Sequence, residues 1–151
     1  MISVEFITPS PSNWETLGDQ IYKIERSIFG EESLDQEMMR SDINDSKTNL
    51  ILLKDGSSIV GFTYTVPENE DSARIVDTVL MKKYQHKGFV SILMSCLETE
   101  LRKSGYKYIT RDVLIKNGYA DKIMKNYNSQ IIETKELTSK WGKQRYFKIQ
   151  L

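Results

Sequence analysis

Residues 73–105 read ARIVDTVLMKKYQHKGFVSILMSCLETELRKSG. The first nine residues form an apolar run rich in β-branched residues, as is typical of a strand. After a glycine loop, apolar residues recur at helical spacing, at Val90, Met94, Leu97 and Leu101. Two basic residues and Gly105 then mark the end of a helix. The stretch therefore predicts a buried strand, a tight loop and an amphipathic helix.

The loop YQHKGFV, residues 84–90, has the features of an anion-binding turn. The first turn of a helix has unpaired N–H groups and a partial positive charge. Gly88 lets the backbone approach a phosphate without a Cβ in the way. Four side chains add positive charge nearby: Lys82, Lys83, His86 and Lys87. The alternative is a plain connection, since short strand-to-helix turns with a glycine are common.

The remaining elements follow from periodicity and turn residues. Capping-box patterns at Ser12 with Glu15 and at Ser33 with Gln36 predict two helix starts. The turn DGSS separates two β-rich runs and predicts a hairpin. The predicted strands are 3–8, 49–54, 59–66, 74–81, 106–114, 130–137 and 145–151, and the predicted helices are 14–29, 33–42, 90–104 and 117–128. The element order is βααβββαβαββ, which predicts an α/β fold with a mixed, mostly antiparallel sheet.

Composition limits the class of protein. A chain of 151 residues with 39% hydrophobic residues fits one domain spanning residues 1–151. No apolar run approaches the roughly 20 residues of a membrane span, and no secretory signal opens the chain. With a single cysteine, Cys96, no internal disulfide forms. We therefore expect a soluble, cytoplasmic protein without a membrane partner.

Charge is divided along the chain. The net charge is zero, but residues 1–75 carry 6 Lys and Arg against 14 Asp and Glu, while residues 76–151 carry 15 against 7. A zero total argues against a nucleic-acid binder. The basic half suits an anionic ligand and the acidic half a cationic one, unless the two halves interleave in the fold and their fields cancel.

Residues 75–129 resemble the core of the GCN5-related N-acetyltransferases, the GNAT family. In that family a strand precedes a loop of the form Q/R-x-x-G-x-G/A, and Gln85, Gly88 and Val90 occupy its marked positions. An acidic residue on the next strand and an N-x-x-A-x-x-aliphatic pattern follow in the family. They are matched here by Asp112, Asn117, Ala120 and Ile123. The resemblance implies a GNAT-type fold that binds acetyl-CoA.

The resemblance also implies which residues hold the coenzyme. The loop residues Gln85, His86, Lys87, Gly88, Phe89 and Val90 would bind its pyrophosphate. Backbone amides around Val79 and Leu80, with Asn117, would hold the pantetheine arm, and no metal is implied. The chain departs from the family at Val90, where glycine or alanine is usual, and at Met124, where many members carry a tyrosine that protonates the leaving thiolate.

Catalytic candidates follow from the same comparison. Asp112 is the first candidate for the general base and Asp77 the second. Tyr127 lies one helical turn beyond Met124 and could present a hydroxyl to the same cleft. The plain alternatives are strand carboxylates that face solvent or pair with lysine, and a tyrosine that packs a helix end.

The function implied is transfer of an acetyl group from acetyl-CoA to a primary amine of a small molecule or a protein. The acidic residues Glu31, Glu32, Asp35 and Glu37 either recognise a cationic amine or form a solvated helix face. Two alternatives are a non-catalytic acyl-CoA-binding module and an interaction domain that has lost the coenzyme. Because members of the family often pair through their later strands, a homodimer is one option.

Overall fold

The computed structural model describes residues 1–151 and shows a seven-stranded sheet with helices on both faces. The strands are β1 (Ile2–Ile7), β2 (Asn49–Asp55), β3 (Ser58–Pro67), β4 (Ser72–Leu80), β5 (Tyr108–Leu114), β6 (Ile131–Ser139) and β7 (Gly142–Gln150). The helices are α1 (Asn13–Phe29), α2 (Gln36–Ile43), α3 (Phe89–Lys103) and α4 (Tyr119–Asn126). The predicted order and the mixed α/β class are confirmed. None of the helices has the length and apolar character needed to cross a bilayer.

The sheet is interrupted at its centre. Its strand order is β1-β2-β3-β4-β5-β7-β6, and only β4 and β5 are parallel. Their pairing is short, because Ser72–Arg74 pairs with Tyr108–Thr110 and the two strands then separate. We call the space between residues 75–80 of β4 and residues 111–114 of β5 the β4–β5 gap. Backbone groups that face this gap have no strand partner.

Two separate cores pack against the two faces of the sheet. Helices α3 and α4 cover one face, here the α3 face, with Leu97 and Phe147 fully buried. Helices α1 and α2 cover the other, here the α1 face, with Ile21 and Phe62 fully buried. Each such side chain contributes roughly 1.5–3 kcal/mol to folding. The β4–β5 gap therefore opens between two rigid, independently packed layers.

Both helix starts in the N-terminal segment differ from the predicted capping boxes. The Ser12 side chain does not cap α1; instead Trp14 N–H donates to Asn44 Oδ1, at the end of α2, over 2.8 Å. The N-cap of α2 is Asp35, two residues later than the predicted Ser33, because Asp35 Oδ2 accepts the Met38 N–H at 3.0 Å. The Ser33 hydroxyl donates to Gly30 C=O and closes a 3-10 turn. A tertiary contact and a competing turn thus override the local patterns.

Replacing Asn44 by alanine is expected to destabilise the protein by about 1 kcal/mol, because the first turn of α1 loses an acceptor for a backbone N–H group. Ser12→Ala should change stability by less than about 0.5 kcal/mol, since that side chain makes no capping bond. Urea unfolding of both variants measures the difference. A larger loss for Ser12→Ala than for Asn44→Ala would contradict the assignment.

Candidate functional site

One backbone edge of β4 is free at the β4–β5 gap. Met81 N–H donates to Val60 C=O over 2.9 Å, so the alternation of an antiparallel ladder directs the Val79 N–H toward β3 and the Leu80 N–H toward the gap. The Leu80 C=O also faces away from β3, where it accepts a 2.9 Å hydrogen bond from Gln85 Nε2. Of the two amides predicted to hold a ligand arm, Leu80 therefore has a free donor.

The glycine loop presents a row of unpaired donors. The backbone N–H groups of residues 86–91 make no hydrogen bond within the protein. The backbone turns through left-handed conformations at His86, with φ 60°, and at Gly88, with φ 84°. A Cβ built on Gly88 would meet no atom within 4 Å, so the space above the loop is open. Successive N–H groups directed into one concavity bind anionic oxygens.

The side chains around this loop favour an anion of high charge. Lys82, Lys83, His86 and Lys87 are all exposed, and none forms an ion pair. The 3-10 turn that precedes the loop is held in place by the Tyr84 hydroxyl, which donates to Asp55 Oδ2 over 2.7 Å. The loop is thus anchored while its charges stay free, as binding of a pyrophosphate requires.

Asn117 lies across the β4–β5 gap, just before α4. Its Oδ1 accepts the Tyr119 N–H at 3.1 Å, which closes the turn into the helix. The side chain is exposed, and its Nδ2 makes no hydrogen bond within the chain. Asn117 therefore retains a donor for a ligand while it fixes the start of α4.

A β-bulge redirects the side chains of β4. Thr65 pairs with Ile75 and Tyr64 pairs with Asp77, which leaves Val76 as an extra residue. Ile75 packs on the α3 face, so regular alternation would place Asp77 on that face too. The extra residue reverses the alternation and turns Asp77 to the α1 face, as bulges near active sites often do.

On the α1 face, the carboxyl group of Asp77 meets that of Glu25 from α1. Glu25 is 1% exposed; its Oε2 accepts the Leu34 N–H at 2.9 Å, and its Oε1 has no partner. Asp77 Oδ1 accepts the Thr78 N–H at 3.0 Å, and Oδ2 is buried without a partner. Burial, followed by the interaction with Glu25, raises the pKa of Asp77 well above its usual range. Such a pair can hold one proton and accept another.

Sequence reasoning did not single out Glu25, although a signal exists. It lies four residues after Ile21, on the stripe of α1 that is otherwise apolar and buried. A glutamate within such a stripe is rare unless it has a partner. The partner, Asp77, faces it only because of the bulge, which no local pattern announces.

The carboxyl pair predicts a pH-dependent loss of stability. Because the pKa of Asp77 is higher in the folded protein than its reference value of 3.8, the folded state binds the proton more tightly. Stability should therefore fall as the pH rises above about 4 toward that raised pKa. Asp77→Asn removes the effect, so the variant should equal the wild type near pH 4 and exceed it at pH 8 by on the order of 1–3 kcal/mol. Urea unfolding at both pH values measures this, and equal pH dependence of the two proteins would contradict it.

Asp112 lies across the β4–β5 gap from Asp77. Thr110 and Asp112 alternate with Ile109 and Val113, which are buried on the α3 face, so Asp112 faces the α1 face. Its side chain is exposed and makes no hydrogen bond or ion pair. It lines a cavity of about 190 Å³. The two predicted carboxylates therefore flank one opening, but only Asp77 has a buried partner.

Tyr127 lies on the opposite, α3 face. Its hydroxyl donates to Glu98 Oε2 on α3 over a long 3.4 Å, and burial, followed by the Glu98 charge, raises the pKa of the phenol. It lines a narrow cavity at the foot of the gap with Arg111, whose Nε is buried without a partner. Met124 is 39% exposed and offers no proton. The hydroxyl of Tyr127, at the end of α4, is thus hydrogen-bonded to a side chain of α3.

The arrangement is that of a site for two substrates. An anion cradle and a free strand edge lie where β4 meets α3, and carboxylates flank the gap on the α1 face. A molecule bound along the gap would be reached from the other side by an acceptor close to Asp77 and Asp112. Transfer of a group through the sheet is the chemistry that this geometry permits.

Comparisons with known proteins agree with this geometry. The sequence model of the acetyltransferase (GNAT) family matches residues 18–125. Aminoglycoside 6'-acetyltransferase type Ii is similar in fold, with a TM-score of 0.75 at 19% identity over 99% of this chain and 96% of that one. The ribosomal-protein-S18-alanine N-acetyltransferase from Escherichia coli gives 0.73 at 18% identity over 100% and 93%. PaiA N-acetyltransferase from Thermoplasma acidophilum, solved in complex with coenzyme A, gives 0.68 at 15% identity over 99% of both chains. No curated protein sequence matches the chain significantly.

Proposed function

Because the chain belongs to the GNAT family of acetyltransferases, we propose that it transfers an acetyl group from acetyl-CoA to a primary amine. The observation that carries the proposal is the row of unpaired N–H groups at residues 86–91, placed where β4 has separated from β5. A pyrophosphate needs such donors, and a pantetheine arm needs a free strand edge. The residues present fit acetyl-CoA on both counts.

Acetyl-CoA would supply an acetyl thioester whose thiolate leaves readily, since a thiol has a pKa near 8.5. The loop residues from Gln85 to Val90 would bind the pyrophosphate, and the Leu80 N–H and Asn117 would hold the pantetheine arm. With so good a leaving group, a proton donor at the position of Met124 is dispensable. Tyr127 remains the candidate donor, on the face where the coenzyme would lie.

The acceptor amine has to lose a proton before it attacks. We assign this proton to Asp77, because it is buried beside Glu25 on the acceptor side of the gap and its raised pKa makes its ionised form a strong proton acceptor. Asp112 is the alternative base, and its exposed carboxylate would attract the ammonium form of the acceptor. The new N–C bond forms as the C–S bond breaks, and the amine proton passes to the carboxyl pair.

Calorimetric titration with acetyl-CoA, followed by thiol release in the presence of a panel of primary amines, tests the proposal. Micromolar binding with turnover on at least one amine supports an enzyme. Binding without turnover on any amine would favour a non-catalytic acyl-CoA-binding module, which the missing tyrosine at Met124 makes the second candidate. A folded protein that does not bind acetyl-CoA would overturn both. The proposal keeps a cytoplasmic location and a homodimer as further expectations.

A further inference from the structure

The cavity of about 190 Å³ beside Asp112 lies at the foot of the β4–β5 gap, on the α1 face. It is lined by side chains from the turn before β4 and from four strands, chiefly Glu68, Arg74, Thr110, Asp112, Lys135 and Tyr146. Arg74 pairs with Thr110 in the last register position before the strands separate. The cavity therefore adjoins the place where an acceptor would meet the acetyl group.

The cationic side chains of this cavity form no ion pairs. Neither Arg74 nor Lys135 forms an ion pair, although Glu68 and Asp112 line the same space. Lys135 Nζ lies 5.0 Å from the centre of the Tyr146 ring, and the Tyr146 hydroxyl donates to Glu68 over 3.5 Å. A cation that rests on a ring while carboxylates are nearby keeps its donors free for another anion.

A buried hydroxyl at the floor of the cavity also lacks a partner. Thr110 is fully buried, and its Oγ1 makes no hydrogen bond in the structure. Buried polar groups are almost always satisfied, so this hydroxyl, beside two cations without an ion pair, is available to a ligand that enters the cavity. Arg74, Lys135 and the Thr110 hydroxyl can together donate hydrogen bonds to a carboxylate.

The carboxylate of Asp112 lies on the same face of β5 as these donors, further along the strand. Asp112 is two residues beyond Thr110 on the same face of β5, a rise of about 6.6 Å. A donor set and a carboxylate this far apart suit a small molecule with a carboxylate and an amine at its two ends. The volume agrees, since about 190 Å³ falls below the roughly 300 Å³ at which sites for drug-sized ligands begin.

We propose that this cavity selects acceptors that carry a carboxylate beside their amine, so that the substrate class is a small amino acid. The inference rests on the proposed acetyl transfer and adds a specificity site to it. Arg74, Lys135 and Thr110 bind the acceptor carboxylate. Asp112 binds its ammonium group and directs it to the β4–β5 gap.

The experiment compares acetyl transfer to alanine and to alaninamide, which differ in the carboxylate. We expect kcat/KM to be at least about tenfold higher for alanine. Arg74→Gln and Lys135→Gln should each reduce that preference severalfold, and the double variant should bring the ratio close to one. Lys143→Gln, an exposed lysine of β7 that does not line the cavity, is the matched control and should keep the wild-type ratio. Equal or better use of alaninamide by the wild type would overturn the proposal and leave acetyl transfer intact.

A binding measurement separates the two proposals. Calorimetric titration of the protein with N-acetylalanine and with its methylamide needs no turnover and tests the cavity directly. Binding of the acid alone, weakened at least about tenfold in the double variant, would support the carboxylate site even if no amine were acetylated. Equal affinities for the two probes, or no binding of either, would overturn it whatever the acetyl-CoA titration shows.

Discussion

Replacement of Asp77 by asparagine is expected to lower kcat for acetyl transfer about 10²–10⁴-fold, the usual contribution of a positioned base. The amide keeps the shape of the side chain but takes no proton from the amine. Affinity for acetyl-CoA should stay within about twofold of the wild type, because Asp77 faces the α1 face and the cradle lies at α3. Thiol release and calorimetric titration measure the two quantities on the same preparation.

Two further variants test the assignment of the base. Asp112→Asn should raise KM for the acceptor more than it lowers kcat, since our proposal gives Asp112 a role in binding the acceptor and not in deprotonating it. Glu25→Gln removes the neighbouring acid but keeps an oxygen for the Leu34 N–H, so it should lower the pKa of Asp77. The acidic limb of the kcat/KM profile should then move to lower pH. A full loss of kcat in Asp112→Asn, with normal kcat in Asp77→Asn, would transfer the role of base to Asp112.

The second large effect is expected at the loop. Gly88→Asp should weaken acetyl-CoA binding at least about 100-fold, because a negative side chain would occupy the open space in front of the unpaired N–H groups. Part of any change in affinity would come from backbone strain, since φ of Gly88 is 84° and a residue with a side chain disfavours that conformation. Calorimetric titration measures the affinity, and thermal unfolding reports the strain.

Gly105→Asp is the matched control for that strain. Gly105 follows the other end of α3, has φ 88° and also faces open space. The two variants therefore impose similar backbone cost and the same charge, but only one lies at the cradle. Equal weakening of acetyl-CoA binding by both would trace the effect to instability of α3, and normal binding by Gly88→Asp would exclude the loop as a phosphate site.

Much of this fold can be predicted from the sequence, because the elements are marked locally by hydrophobic periodicity or by turn residues. The strand, loop and helix of residues 73–105 were predicted from hydrophobic periodicity and one glycine, and their type and order are correct. The hairpin at DGSS likewise follows from turn residues that tolerate positive φ, as Gly56 does here at 62°. Boundaries shifted by only a few residues, since helix and strand ends depend on tertiary contacts.

The features that local patterns did not announce all involve residues far apart in the chain. Asn44 accepts the N–H of Trp14, 30 residues earlier in the chain, and the partner of Glu25 is Asp77, on a strand some 50 residues later. The early separation of β4 from β5 depends on pairing across the sheet, which periodicity does not encode. The cavity at Thr110 arises where β4, β5, β6 and β7 meet, so its donors, Arg74, Thr110 and Lys135, are far apart in the sequence.

Because β4 contains an extra residue, the face to which a side chain points depends on its position relative to the bulge. If β4 kept Val76 but paired without the bulge, every functional residue would be present, yet from Asp77 onward the two faces of the strand would be exchanged. The aspartate would then point toward the coenzyme side and Thr78 toward the acceptor. In this chain, loss of the bulge would therefore separate the carboxylate from the acceptor as completely as loss of the carboxylate itself, whereas deletion of Val76 would leave Asp77 directly after Ile75 and still on the α1 face.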